Sequence, residues 1–315
     1  MINVVYGGSG PPVLLLHGYP QTHVLWHMLA PRLAERFTVV MTDLRGYGDS
    51  STPPGGDNHA NYSKRAMALD QIEVMRTLGF DRFAVVGHDR GGRVAWRLAV
   101  EHPHAVTKAA VLDIVPLPYD RVTKAFATQY YHWFFLIQPA PLPETLIGNS
   151  VEMYLRSRFE RPTGGTSAIA PEAFAEYLRC FSDPATIHAT CEDYRAGATI
   201  DLDHAQEDGA KKVTCPLLVL WGERGTVGRL DPVMEIWRDK AADVHGKALP
   251  GGHFLAEECP DETLAELLAF LRRAVAFAAA HQSEGAIHAT RTRHRLRPRP
   301  RHGRRRIRPV MAATR

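Results

Sequence analysis

The stretch Phe83-Ala-Val-Val-Gly-His-Asp-Arg-Gly-Gly-Arg-Val-Ala-Trp-Arg97 decides how this chain is read. It opens on a short apolar run at 83–86, passes through Gly87-His-Asp-Arg-Gly91, and continues with helical periodicity to Glu101. A strand that turns into a helix through G-x-D-x-G needs small residues on both sides of the turn. The backbone folds tightly there and lifts the central side chain above the sheet. That central residue is Asp89, where an acylating enzyme would carry Ser or Cys. A carboxylate instead attacks an electrophilic carbon and forms an ester, which excludes ordinary esterase and lipase chemistry. Asp also caps helices, but the apolar strand and the flanking glycines favour a nucleophile.

Outward from this turn, Val13-Leu-Leu-Leu16, Phe37-Thr-Val-Val40, Ala109-Ala-Val-Leu112 and Pro216-Leu-Leu-Val-Leu220 read as further buried strands, since their apolar runs are continuous. Helical patterns at 28–36, 63–78 and 90–101 lie between them. Such alternation predicts a mostly parallel sheet with helices on both faces. After Asp113 it stops: 117–212 is rich in aromatics and prolines and lacks a convincing strand, and strand-like sequence resumes at Val213. The expected organisation is a core at 1–116, a helical lid (cap) at 117–212, the rest of the core at 213–277, and a tail at 278–315. A lid inserted there would cover the carboxyl ends of the strands, where ligands bind in such sheets.

Charge is unevenly spread. The net balance is +4, yet residues 281–315 hold eleven Arg and one acid, Glu284, so the other 280 residues stand at −6. A nucleic-acid-binding body is not expected; the tail reads as a solvated, disordered segment, with anion binding an open alternative. Cys180, Cys191, Cys215 and Cys259 form no C-x-x-C pair, which argues for reduced thiols over a zinc site or disulfide framework. The first residues lack a secretory signal and no apolar stretch reaches membrane length, so a cytoplasmic protein is expected.

Three pieces complete a site around Asp89. His17-Gly-Tyr-Pro20 follows the first buried strand, where the α/β-hydrolase fold places an oxyanion loop; the amides of Tyr19 and Arg90 are the candidate donors. His253, in Leu249-Pro-Gly-Gly-His-Phe254, follows the last strand-like segment, where that fold carries its general base. The base needs an orienting carboxylate. Asp113, closing a buried strand, is favoured over Asp231, because a charge there needs a partner.

Taken together, Gly87-His-Asp-Arg-Gly-Gly-Arg93, His17-Gly-Tyr-Pro-Gln-Thr-His23, Tyr131-His-Trp133, Gln138-Pro-Ala-Pro-Leu-Pro-Glu144 and Cys191-Glu-Asp-Tyr-Arg-Ala-Gly-Ala198 resemble the haloacetate (fluoroacetate) dehalogenases, from about residue 10 to about residue 271. The resemblance implies an α/β-hydrolase fold with a cap, Asp89 as nucleophile, His253 as base and Asp113 as its partner. It also implies that Arg90 and Arg93 hold the carboxylate of a haloacid and that His132, Trp133 and Tyr194 bind the leaving halide. No metal or cofactor is called for, and a homodimer through the lid is implied. The residues agree in part: Arg90 and Arg93, at i and i+3, share one face beside Asp89. Two cations at a helix N-terminus oppose its dipole, a local violation that suggests function.

Departures and rivals also follow from the residues. Family members carry a strand ahead of the segment matching Ile2-Asn-Val-Val-Tyr6 that is absent here; the Arg-rich tail has no counterpart; and Arg161-Pro-Thr-Gly-Gly-Thr-Ser167 lacks an expected tryptophan. An epoxide hydrolase would share the Asp nucleophile, but a neutral substrate has no use for a cation at Arg90. A non-catalytic small-molecule-binding protein on the same fold would be expected to lose Asp89 or His253.

Overall fold

In this computed structural model, which describes residues 1–116, 122–159 and 169–273, seven strands line up in the order β1-β3-β2-β4-β5-β6-β7. They are β1 Val4–Gly8, β2 Pro12–Leu16, β3 Thr38–Thr42, β4 Phe83–His88, β5 Val106–Leu112, β6 Leu217–Gly222 and β7 Val244–Leu249. β1 runs antiparallel to β3, and the remaining neighbours are parallel. The continuous apolar runs have a simple cause. Successive strand residues point to opposite faces, and both faces are covered. Leu14, Val40, Val85, Ala109, Val111 and Val219 enter one core, while Val13, Leu15, Val39, Ala84, Val86, Ala110 and Leu220 enter the other. The outer strands β1 and β7 are half exposed, so neither carries the apolar run by which a buried strand is recognised.

Helices α1 Ala30–Leu33, α2 Lys64–Thr77 and α3 Arg90–Glu101 alternate with the first strands. The first is shorter than the 28–36 pattern, with Pro31 in its opening turn. α2 begins where the Ser63 hydroxyl accepts the Ala66 amide at 3.1 Å, as an N-cap serine should. Between β5 and β6 the described residues contain only helices: α4 Lys124–Gln129, α5 Tyr131–Leu136, α6 Leu142–Gly148, α7 Val151–Phe159, α8 Pro171–Phe181, α9 Pro184–Ala198 and α10 Ile200–Asp208. After β6 come α11 Thr226–Leu230, α12 Val233–Lys240, α13 Leu255–Glu258 and α14 Pro260–Arg272. The glycine-rich segment 161–167 and the tail 278–315 lie outside the described residues.

A buried polar contact ties the helical excursion to the core. Glu257 of α13 accepts from Gln21 Nε2 at 2.6 Å and from the Tyr177 hydroxyl of α8 at 2.9 Å. Burial pushes the Glu257 carboxyl up to about 8, further than those two hydrogen bonds pull it down. The folded state therefore holds a proton that the unfolded chain releases near its ordinary pKa, and stability falls as pH rises between those values. Thermal or urea unfolding should show a loss on the order of a few kcal/mol from about pH 5 to pH 8 attributable to this group. Glu257→Gln should flatten that slope; an unchanged slope would mean that Glu257 is ionised in the folded protein.

Candidate active site

β4 lies between β2 and β5 and all six of its residues are buried. Asp89 follows directly, with φ 48° and ψ −117°, a conformation that costs a non-glycine residue about 1–3 kcal/mol. The turn closes because Gly87 and Gly91 have no side chains: a Cβ on Gly87 would lie 2.2 Å from the Gly91 carbonyl oxygen, and one on Gly91 would lie 2.3 Å from that of His17. The two carboxylate oxygens are placed differently. Oδ1 accepts the Tyr19 amide at 3.0 Å, and Oδ2 faces His253 Nε2 at 3.7 Å. Burial pushes the Asp89 carboxyl up, but His253, His88, Arg90 and the Tyr19 amide together bring it below the usual carboxylate range.

On its other side His253 Nδ1 meets Asp113 Oδ2 at 2.6 Å, and Asp113 Oδ1 accepts the Gly222 amide at 3.0 Å. Asp113 sits just past β5 at φ 51°. Asp231, the alternative acid, ends α11; its Oδ2 finds no hydrogen-bond partner among the described residues, and burial together with the Asp113 charge raises its pKa. His88 was not anticipated as a site residue. Burial and the adjacent His253 lower its pKa to about 3, so its ring is neutral, and Nε2 donates to the His253 carbonyl at 2.7 Å.

The lid contributes aromatic rings. His132 and Trp133 of α5 lie 5.8 and 6.3 Å from the Tyr194 ring of α9, centroid to centroid, and Tyr19 lies 5.1 Å from Tyr194. Burial, and then the charge of Asp89, raise the Tyr194 phenol well above its ordinary value, so it remains a donor. Asp89, Tyr19, His132, Tyr194 and His253 line one pocket, together with Pro20, Tyr130, Arg158 and Phe254.

Arg90 and Arg93 occupy the first turn of α3, both buried, but their side chains line a neighbouring pocket with Lys64, Trp96 and Gly197. Arg93 Cζ lies 5.2 Å from the Trp133 ring. Arg90 donates from Nε to Asp193 Oδ2 at 2.8 Å and from Nη2 to Asp193 Oδ1 and its carbonyl, each at 2.6 Å. Lys64 and the Tyr47 hydroxyl also reach the Asp193 carboxylate. Burial pushes Asp193 up, but Arg90 and Lys64 outweigh it and hold it well below the ordinary range. Asp193 directly precedes Tyr194, the only sequence signal that marked it. Arg158 carried none: it stands two residues from exposed Arg156 in an ordinary helical run.

The chain belongs to the α/β-hydrolase family, whose model matches residues 11–260. Within it, the chain groups with the haloacetate dehalogenases. It is 48% identical over 273 residues to the fluoroacetate dehalogenase of Burkholderia sp, covering 86% of this chain and 90% of that protein. Identity to the soluble epoxide hydrolase of Corynebacterium sp. (strain C12) is 34%, over 85% of this chain and 93% of that one. The solved structure of ALR0039 from Nostoc sp PCC 7120 superposes with a TM-score of 0.85 at 60% identity, covering 87% of this chain and 94% of that one. No helix among the described residues is long and apolar enough to cross a membrane.

Removing one partner from a buried ion pair leaves the other charge uncompensated, at a cost of about 3–5 kcal/mol. Asp193→Asn should therefore lower unfolding stability by roughly that amount, as read by chemical denaturation. A loss below about 1 kcal/mol would show that Arg90 and Lys64 find other partners.

Proposed function

We propose that this protein hydrolyses the carbon–halogen bond of fluoroacetate or another 2-haloacetate, giving glycolate and halide by way of an ester on Asp89. The observation that carries the proposal is the carboxylate itself: Asp89 stands at the elbow with Oδ1 on the Tyr19 amide and Oδ2 toward a histidine paired with Asp113.

In the first step Asp89 Oδ2 attacks the α-carbon; the new C–O bond forms as the carbon–halogen bond breaks, and halide leaves with the bonding pair. Donors on His132, Trp133 and Tyr194 stabilise the charge that builds on the halide. Arg90 and Arg93 supply the positive charge that offsets repulsion between the substrate carboxylate and Asp89. In the second step His253 Nε2 takes a proton from water, whose oxygen attacks Asp89 Cγ. Charge moves to Oδ1, where the amides of Tyr19 and Arg90 stabilise it. The intermediate collapses, the ester C–O bond breaks, and glycolate departs with a proton returned from His253. Asp113 keeps the imidazole oriented and stabilises its protonated form.

Four free thiols support a cytoplasmic location. Exposed Tyr131, Phe134, Leu142, Leu146 and Met153 on the lid support pairing of two copies through it.

Halide release from fluoroacetate and chloroacetate tests the reaction. Asp89→Asn should reduce it by about 10³-fold or more, and a single turnover in 18O-labelled water should place the label in Asp89 rather than in glycolate. Opening of an epoxide with no release of halide would overturn the assignment.

A further inference from the structure

The residue whose amide faces Asp89 Oδ1 has its side chain fastened to the lid. Tyr19 is buried, and its hydroxyl donates to the Tyr154 hydroxyl of α7 at 2.9 Å. Aromatic rings hold both partners. Phe181 of α8 meets the Tyr19 ring edge-on at 5.8 Å and stacks on the Tyr154 ring at 6.2 Å, centroid to centroid. Burial raises both phenols above their ordinary range, so the contact joins two neutral hydroxyls. The loop that carries Tyr19 also approaches the elbow closely: a Cβ on Gly18 would lie 2.5 Å from that of Asp89. At this range, a shift of the Tyr19 side chain disturbs the 3.0 Å hydrogen bond from its amide to Asp89 Oδ1, and oxyanion stabilisation falls steeply with such misplacement.

The two steps of the reaction do not need that amide equally. While Oδ2 attacks carbon, the carboxylate loses charge, and a donor on Oδ1 gives the transition state no advantage. When water attacks Cγ, charge arrives on Oδ1 and the amide stabilises it. A contact that keeps Tyr19 in place therefore favours the second step over the first.

We propose that Tyr154 is a positioning residue: from the lid, its hydroxyl anchors the Tyr19 side chain and so keeps the Tyr19 amide on the oxygen that becomes the oxyanion. The proposal rests on the haloacetate reading of the site. It is tested by rapid quenching of the full-length protein with chloroacetate, following chloride release and, by intact mass, the ester on Asp89. Tyr154→Phe removes one oxygen and keeps the stacked ring. In that variant, hydrolysis of the ester should slow at least about 10-fold while chloride release in the first turnover changes less than about 3-fold, so that ester accumulates. Tyr19→Phe removes the other hydroxyl and should show the same split; it decides the matter alone if Tyr154→Phe does not fold. The doubly substituted protein should be no slower than either single variant, because both act through one contact. Ester hydrolysis unchanged in the variants, both steps slowed alike, or effects that add in the double variant overturn the proposal while leaving the haloacetate reading intact. A wild type that releases no halide overturns that reading and the proposal with it.

Discussion

An aspartate held at positive φ at the carboxyl end of a fully buried strand is the constraint on which the rest of this molecule depends. Asp89 occupies a conformation that its residue type disfavours, and three packed surroundings keep it there. The β4 ladder fixes the chain before it. α3 fixes the chain after it, and the contact of Gly91 with the β2 end leaves no room for relaxation. What the strain achieves is placement: both carboxylate oxygens stand in the space between sheet and lid, one on the Tyr19 amide and the other toward His253.

The same turn creates an electrostatic problem that the lid resolves. Two arginines in the first turn of α3 oppose the helix dipole and are out of water. Asp193, reaching down from α9, accepts from Arg90 and contacts Lys64, so a lid residue neutralises charge that belongs to the core. Lid and core are thus joined by compensation of buried charge as well as by apolar packing. The Glu257 contact to Gln21 and Tyr177 is a second such junction. A helical insertion fastened through buried polar groups has a specified position over the sheet, because shifting it would strand those groups without partners.

What the sequence disclosed follows from this physics. The continuous apolar runs of β2, β4, β5 and β6 were legible because both faces of those strands are covered, whereas half-exposed β1 and β7 carry no such signature. Asp89 was legible because the glycines around it answer to one backbone geometry. His253 and Asp113 could be proposed from their places after strands, and they meet at 2.6 Å. Arg158, Lys64 and Asp193 could not be found that way. Each is a charged residue in a helical run, and whether such a residue faces water or a buried cluster depends on packing between segments far apart in the chain. The partners confirm the point: Lys64 and Asp193 are 129 residues apart.

On the proposed reaction, the asymmetry of the Asp89 carboxylate assigns its two oxygens. Oδ1 already accepts a hydrogen bond, which lowers its nucleophilicity and places a donor where the oxyanion forms after ester formation. Oδ2 is 3.7 Å from His253 Nε2, beyond hydrogen-bond length. Its lone pairs are thus not drawn toward the imidazole, and Oδ2 is the oxygen suited to attack carbon. The same interval separates the base from the ester, which gives the attacking water its approach. A direct hydrogen bond from His253 to Oδ2 would stabilise the resting carboxylate and weaken it as a nucleophile. The longer distance lets one histidine serve the second step without impeding the first.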